Sequence, residues 1–188
     1  MMRVGPLAAV VLMLAGCLGT APKENFFTLS APASSQPASG ATPTVLVGPV
    51  SVPDAVDRVS MVIRTGPNRV EIDDANRWAE PLKAAIPRVL AENLRRELGT
   101  SRVLANRQAS TSNVDFRVAV EVQRFDSSLD EGATLDALWT VTPATGAART
   151  GETVVVERAT SRDAGGIAAA HSRALEKLAR DIAAAIRR

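Results

Sequence analysis

A single cysteine and a single histidine stand among 188 residues, and each scarcity excludes something. One cysteine cannot close an internal disulfide, so the thiol is an apolar filler, a reactive group or a modification site. There is no histidine or cysteine cluster with metal-ligand spacing, no G-x-S-x-G elbow and no glycine-rich phosphate loop. Net charge is also nearly missing. The formal value is +2, and with Arg3 set aside as part of a leader, 21 basic residues face 20 acidic ones. Nothing steers such a chain toward nucleic acid. Nor does it hold an apolar run of the roughly 20 residues that a membrane-spanning helix needs. What it does have is 46% hydrophobic content over 188 residues, enough for one domain with a good core.

The cysteine stands in "VLMLAGCLGT", directly behind the chain's first apolar run. Arg3 supplies a small positive n-region and residues 4–14 an uncharged h-region of export-signal length. Leu14-Ala15-Gly16-Cys17 then resembles the lipobox of bacterial lipoproteins. Small residues before the cleaved bond admit the peptidase, and the thiol carries diacylglycerol. Residues 1–16 are therefore expected to be a lipoprotein signal peptide and Cys17 the acylated anchor. Acyl chains contribute about 0.8 kcal/mol per buried methylene, so two or more hold the chain stably. The resemblance further implies sorting to the outer membrane, because Leu18 rather than Asp follows the cysteine.

Residues 17–44 read as anchor and flexible tether, since "APASSQPASGATPT" lacks charge and is rich in Pro, Ala, Ser and Thr. Within them "FFTL" at 26–29 either lies in the lipid interface or docks as an added strand covered on both faces. Residues 45–188 read as a single α+β domain whose mixed, largely antiparallel sheet carries two main helices. "VLVGPVSV" is an edge strand or is bulged at Gly48-Pro49. "VSMVIRT" and "RVEI" form a hairpin about Gly66-Pro67-Asn68. A helix follows, with Leu82, Ile86, Leu90 and Leu94 at i+4 steps, Asp73 or Asp74 as its cap, Pro81 in its first turn and Gly99 as its stop. "VDFRVAVEVQRF", "TLDALWTVT" and "TVVVERAT" suit an antiparallel meander, with Leu135, Ala137, Trp139 and Val141 facing the core. A last amphipathic helix puts Ile167, His171, Ala174, Leu175, Leu178, Ile182 and Ile186 on one face. The i+4 pairs Glu176–Arg180 and Lys177–Asp181 are expected outside.

No constellation for catalysis emerges, and no enzyme, metal or cofactor is expected beyond the acyl chains on Cys17. His171 falls on the apolar stripe and is expected to be a core residue. Glu71, Asp73 and Asp74 suit capping and the helix macrodipole better than a cation.

The stretches "VGPVSVPDAVDR", "NRWAEPL" and "RVLAENLRREL", together with the lipobox and "FFTL", resemble the PqiC-type lipoproteins, also described as ABC-type transport auxiliary lipoproteins. The resemblance covers residues 26–99 well and the C-terminal half in its pattern of strands and helix. Two departures stand out: Phe occupies a position of "FFTL" where the family often has Tyr, and Ala55 stands where an aromatic commonly follows "VPD". The resemblance implies a non-enzymatic lipoprotein at the periplasmic face of the outer membrane. It would work with an MCE-domain periplasmic protein in a lipid conduit that supports envelope integrity. A homo-oligomeric ring fits such a role. A structural or assembly lipoprotein, peptidoglycan-associated or otherwise, uses the same anchor and tether and is the alternative. The expected partner surface is Gly48, Pro49, Pro53, Asp54, Asp57 and Arg58, with Arg77, Trp78 and Glu80. Each also has a local reading: Trp78 extends the Leu82 stripe, Arg77 and Glu80 pair or cap locally, and Asp54, Asp57 and Arg58 fix the turn after Pro53.

Overall fold

The computed structural model describes residues 23–32, 43–105 and 113–188. The signal peptide expected at 1–16, Cys17 and much of the tether lie outside the described residues. The described chain forms β1 (Asn25–Phe27), β2 (Val45–Ser51), β3 (Ser60–Gly66), β4 (Arg69–Trp78), α1 (Leu82–Leu98), β5 (Val103–Ala105), β6 (Phe116–Ser128), β7 (Gly132–Pro143), β8 (Arg149–Glu157) and α2 (Ala164–Arg187).

The alternating run at 114–122 becomes the first part of β6, the strand around which the sheet is built. One edge of β6 pairs with β7 from Phe116 to Ser128, and β7 in turn pairs with β8. Its other edge is shared, by β2 over Phe116 to Glu121 and by β3 at Ser127. Outside β2 lies β5, and outside β3 lie β4 and then β1. The α+β architecture thus stands as expected, but a largely antiparallel sheet does not. Four of the seven pairings are parallel: β1–β4, β2–β5, β2–β6 and β3–β6. Short turns make the antiparallel β3–β4 hairpin and the β6–β7–β8 meander. The parallel partners are instead distant in sequence, as parallel pairing requires.

β2 is not an edge strand. Val45 to Val47 pair on both sides, with β5 and with β6, and the register then slips between Val47 and Val50 at the Gly48–Pro49 bulge. At "FFTL", Asn25 to Phe27 pair with Asn76 to Trp78, and Phe26 is left 60% exposed rather than covered on both faces.

α1 starts later than the sequence suggests. β4 runs on to Trp78, and Asp73 and Asp74 lie in that strand rather than at a helix cap. Pro81 holds the N-cap position with ψ 138°, and a residue preceding proline avoids helical geometry, so the helix cannot begin before it. Its apolar series Leu82, Ile86, Leu90 and Leu94 is buried, and Gly99 ends it in the left-handed conformation, accepting φ 63°. α2 buries all seven of its expected residues and is capped by Asp163, whose carboxylate accepts from Gly166 N at 2.7 Å. The expected i+4 pairs on α2 are replaced by tertiary ones: Glu176 meets Arg96 of α1 at 2.8 Å and Lys177 meets Glu157 of β8 at 2.5 Å. Both helices pack on one face of the sheet and against each other. Trp139 is half-buried over Gly151, where an added Cβ would come within 2.2 Å of the indole, and its Nε1 donates to Thr153 Oγ1.

Candidate functional site

The bulge in β2 shapes a surface on which two of the nine expected partner residues, Pro49 and Glu80, meet. Gly48 has φ 140°, a conformation that side-chain-bearing residues rarely adopt, and this turns Pro49 outward beside α1. An open groove of about 630 Å³ results, lined by Pro49, Val50, Pro81, Ala84 and Pro87, with Glu80, Lys83 and Arg88 as its charges. Three prolines present rigid apolar surface without backbone donors, which suits contact with apolar side chains.

Salt links fix both banks. Val56 N and Asp57 N donate to Pro53 O, closing the turn after β2. Lys83 Nζ then lies 2.7 Å from Asp57 Oδ2 and 3.8 Å from Asp54 Oδ1. The Asp57 hydrogen bond holds the Lys83 ammonium above its ordinary range. On the far side, Arg88 binds Glu80 and Glu92 and donates to Leu29 O at 3.2 Å, so the N-terminal arm is tied to α1.

The structure brings together Pro49, Glu80 and, through Lys83, the Asp54–Asp57 turn. Arg58 stays exposed at the end of that turn. Arg77 lies elsewhere, on β4, where it pairs with Glu24 at 2.6 Å. Trp78 is withdrawn from any partner surface: it is 4% exposed and packs against Phe125 and His171, with centroid separations of 6.5 Å and 6.0 Å. It packs in the core, as its local reading held, but from the end of β4 and not as an extension of the helical Leu82 stripe. Lys83, Pro81, Pro87 and Arg88 are groove residues that sequence reasoning missed as such. The available signal was the spacing of Arg88 from Glu92, one turn along the same helix face.

The other residues considered for chemistry have structural roles. His171 is fully buried, stacked on Phe125 at 3.8 Å, and shares a 2.9 Å hydrogen bond with Ser127 Oγ. Burial drives its pKa down to about 3, with Asp126 opposing weakly, so the ring is neutral at physiological pH. Asp73 accepts from Ala75 N, Asn76 N and Asn76 Nδ2, which fixes an irregularity in β4. Asp74 accepts from Ser60 Oγ, and Glu71 pairs with Arg69. Among the described residues no group of three or more His, Cys, Asp or Glu side chains is placed to hold a metal ion.

Comparison with known proteins adds a family and a fold. The family described as "ABC-type transport auxiliary lipoprotein component" matches residues 27–183. No curated protein sequence matches significantly. Among solved structures, an uncharacterized protein superposes with TM-score 0.68 at 18% identity, over 87% of this chain and 99% of its own. Protein XCC0632 from Xanthomonas campestris gives TM-score 0.61 at 19% identity, over 85% and 92%. Both likenesses concern the fold alone. A PelC dodecamer from Paraburkholderia phytofirmans is more distant, with TM-score 0.41 at 15% identity, over 78% and 93%.

Proposed function

From the premise that this chain belongs to the family of ABC-type transport auxiliary lipoprotein components, we propose that it is a non-enzymatic accessory subunit of an MCE-type intermembrane lipid transport system. In this reading Cys17 is acylated, Leu18 directs the lipoprotein to the outer membrane, and the domain faces the periplasm to engage an MCE-domain protein. The observation that carries it is the extent of the family match. Residues 27–183 run from the last residue of β1 into the final turn of α2, so the match covers the domain rather than a fragment. The groove beside Pro49 supplies the docking surface, with rigid prolines and charges of both signs in its lining.

The test is a photocrosslinking pull-down from envelopes. A crosslinker replaces Ala84, which is exposed in the groove, and a control crosslinker replaces Val154 on β8. An MCE-domain protein should be recovered from Ala84, in lower yield from Val154, and less from a Cys17→Ala chain. Lys83→Glu, which repels the Asp54–Asp57 turn, should reduce the Ala84 adduct several-fold. Recovery of only peptidoglycan or unrelated assembly proteins would replace the transport reading with that of a structural lipoprotein.

A further inference from the structure

β1 does more than extend the sheet: it sets where the chain leaves the domain on its way to the anchor. Asn25, Phe26 and Phe27 pair in parallel with Asn76, Arg77 and Trp78. Because the strands run the same way, Asn25 opens β1 on the side that faces the start of β4, the end where the β3–β4 hairpin turns through Pro67 and Asn68. Glu24 holds this direction through its 2.6 Å contact with Arg77.

Residue counts make this direction informative. Cys17 precedes Asn25 by eight residues, and Arg69 precedes Asn76 by seven. In any conformation eight residues reach at most about 26–29 Å, and seven residues of regular strand would cover about 23 Å, a span that the β4 irregularity between Asp73 and Arg77 shortens. The anchor position therefore lies within reach of the hairpin tip and cannot lie far beyond it. With β1 docked, the leash consists of the residues before Asn25, not the whole of 17–44, and the segment from 33 to 44 contributes nothing to the distance from the membrane.

Directly after the polar turn, β4 presents apolar side chains to solvent, alternating with the exposed Arg69–Glu71 ion pair. Val70 is 52% exposed and Ile72 51%, one turn of the pleat apart on the same face of β4, and Phe26 on the adjoining strand is 60% exposed. Arg64 Nη1 donates to Pro67 O at 3.0 Å and more weakly to Gly66 O at 3.5 Å. The Pro67 carbonyl is thereby satisfied from within, which lowers the cost of placing it against interfacial lipid.

We infer that the β3–β4 hairpin tip, through Val70 and Ile72, rests on the phospholipid surface in which Cys17 is anchored. This rests on the anchoring reading above and adds an orientation to it. β4 and β1 stand toward the bilayer, and the hairpin is a second, weak membrane contact that limits tumbling about the acyl chains.

The experiment uses the full-length lipoprotein reconstituted in vesicles of phosphatidylethanolamine with a minor fraction of phosphatidylglycerol. Acylation occupies the chain's one native thiol, so an introduced cysteine can be labelled uniquely with an environment-sensitive fluorophore. Ile72→Cys and Val70→Cys report on the tip, and Val154→Cys, equally exposed on β8, is the control. Mass spectrometry of the Cys17 peptide is read in parallel. The expected result is blue-shifted emission at residues 70 and 72, quenching by brominated lipid, and several-fold less quenching by aqueous iodide than at 154. If Cys17 carries acyl chains and the tip probes are as wet as the control, the tip contact is refuted while anchoring stands. Tip probes that are dry yet not quenched by brominated lipid mean that protein covers the tip, which also overturns the inference. An unmodified Cys17 refutes the anchoring reading itself, and the inference falls with it.

Discussion

His171 is held in place by three neighbours and charged by none of them. Phe125 stacks on its ring, Trp78 meets its edge, and Ser127 takes one nitrogen, all in a fully buried setting. Its pKa in the unfolded chain is near 6.5 and in the folded domain about 3, so between those values the unfolded state binds the extra proton. Stability is therefore complete above pH 6.5 and declines as pH falls through that window, by about 1.4 kcal/mol per unit. Between pH 7.5 and 5 the loss should be about 2 kcal/mol, measurable by urea unfolding. The carboxylates act lower. Burial alone would raise Asp126 and Glu157. Hydrogen bonds from Arg64 and Arg124 hold Asp126 below its ordinary range, and those from Lys177 and Arg173 do the same for Glu157. Their stabilisation is lost only below the usual carboxylate range, leaving the interval from 7.5 to 5 to the histidine. His171→Gln can keep the Ser127 bond without titrating, so its unfolding free energy should be flat across that interval. An unchanged slope in the variant would assign the acid sensitivity elsewhere.

Among the elements, α1 carries the groove and also fastens the N-terminal arm. Arg88 joins Glu80 before the helix, Glu92 one turn on, and the carbonyl of Leu29, whose own side chain is 1% exposed in the core. Arg88→Ala should cost only about 1 kcal/mol globally, since the guanidinium is partly solvated and Leu29 packing remains. Its local effect should be larger: the amides around residue 29 should exchange several-fold faster, as hydrogen exchange with mass spectrometry would detect. This fastening was not legible in the sequence, because the partners are 59 residues apart. What could be read was what a short window contains. The alternation of β6 and β7, the apolar stripes of α1 and α2, and the Gly66-Pro67-Asn68 turn each follow from local spacing. Where a window was misleading, the cause is identifiable: Asp73 and Asp74 look like helix caps, but pairing with β3 keeps the chain extended until Pro81. The short strand β1 is foreshadowed by "FFTL", but the parallel pairings leave no local signature. The candidate site was legible only in part, since the turn after Pro53 could be found but not the Lys83 clip that locks it to α1.

For the molecule as a whole, β6 is the element through which the rest communicates. Among the described strands it alone pairs with three others, β2, β3 and β7. Phe125 extends from it to touch Trp78 of β4 and His171 of α2, joining the arm-bearing side of the sheet to the C-terminal helix. A sheet assembled this way has no natural place to divide: removing either flank exposes the residues by which β6 holds the other. The described domain should therefore unfold as one unit, and the two tryptophans can test this because they sit on opposite sides of β6. Trp78 reports on β4, and Trp139, over Gly151, reports on β7 and β8. With Trp139→Phe leaving the first reporter and Trp78→Phe leaving the second, each variant's fluorescence transition in urea should coincide with its own far-ultraviolet circular dichroism. Phe125→Ala added to either should lower stability by about 3–5 kcal/mol and shift both signals together. A fluorescence transition at Trp78 that precedes loss of secondary structure, with none such at Trp139, would instead divide the sheet at β6 and make β1, β3 and β4 a separately yielding flank.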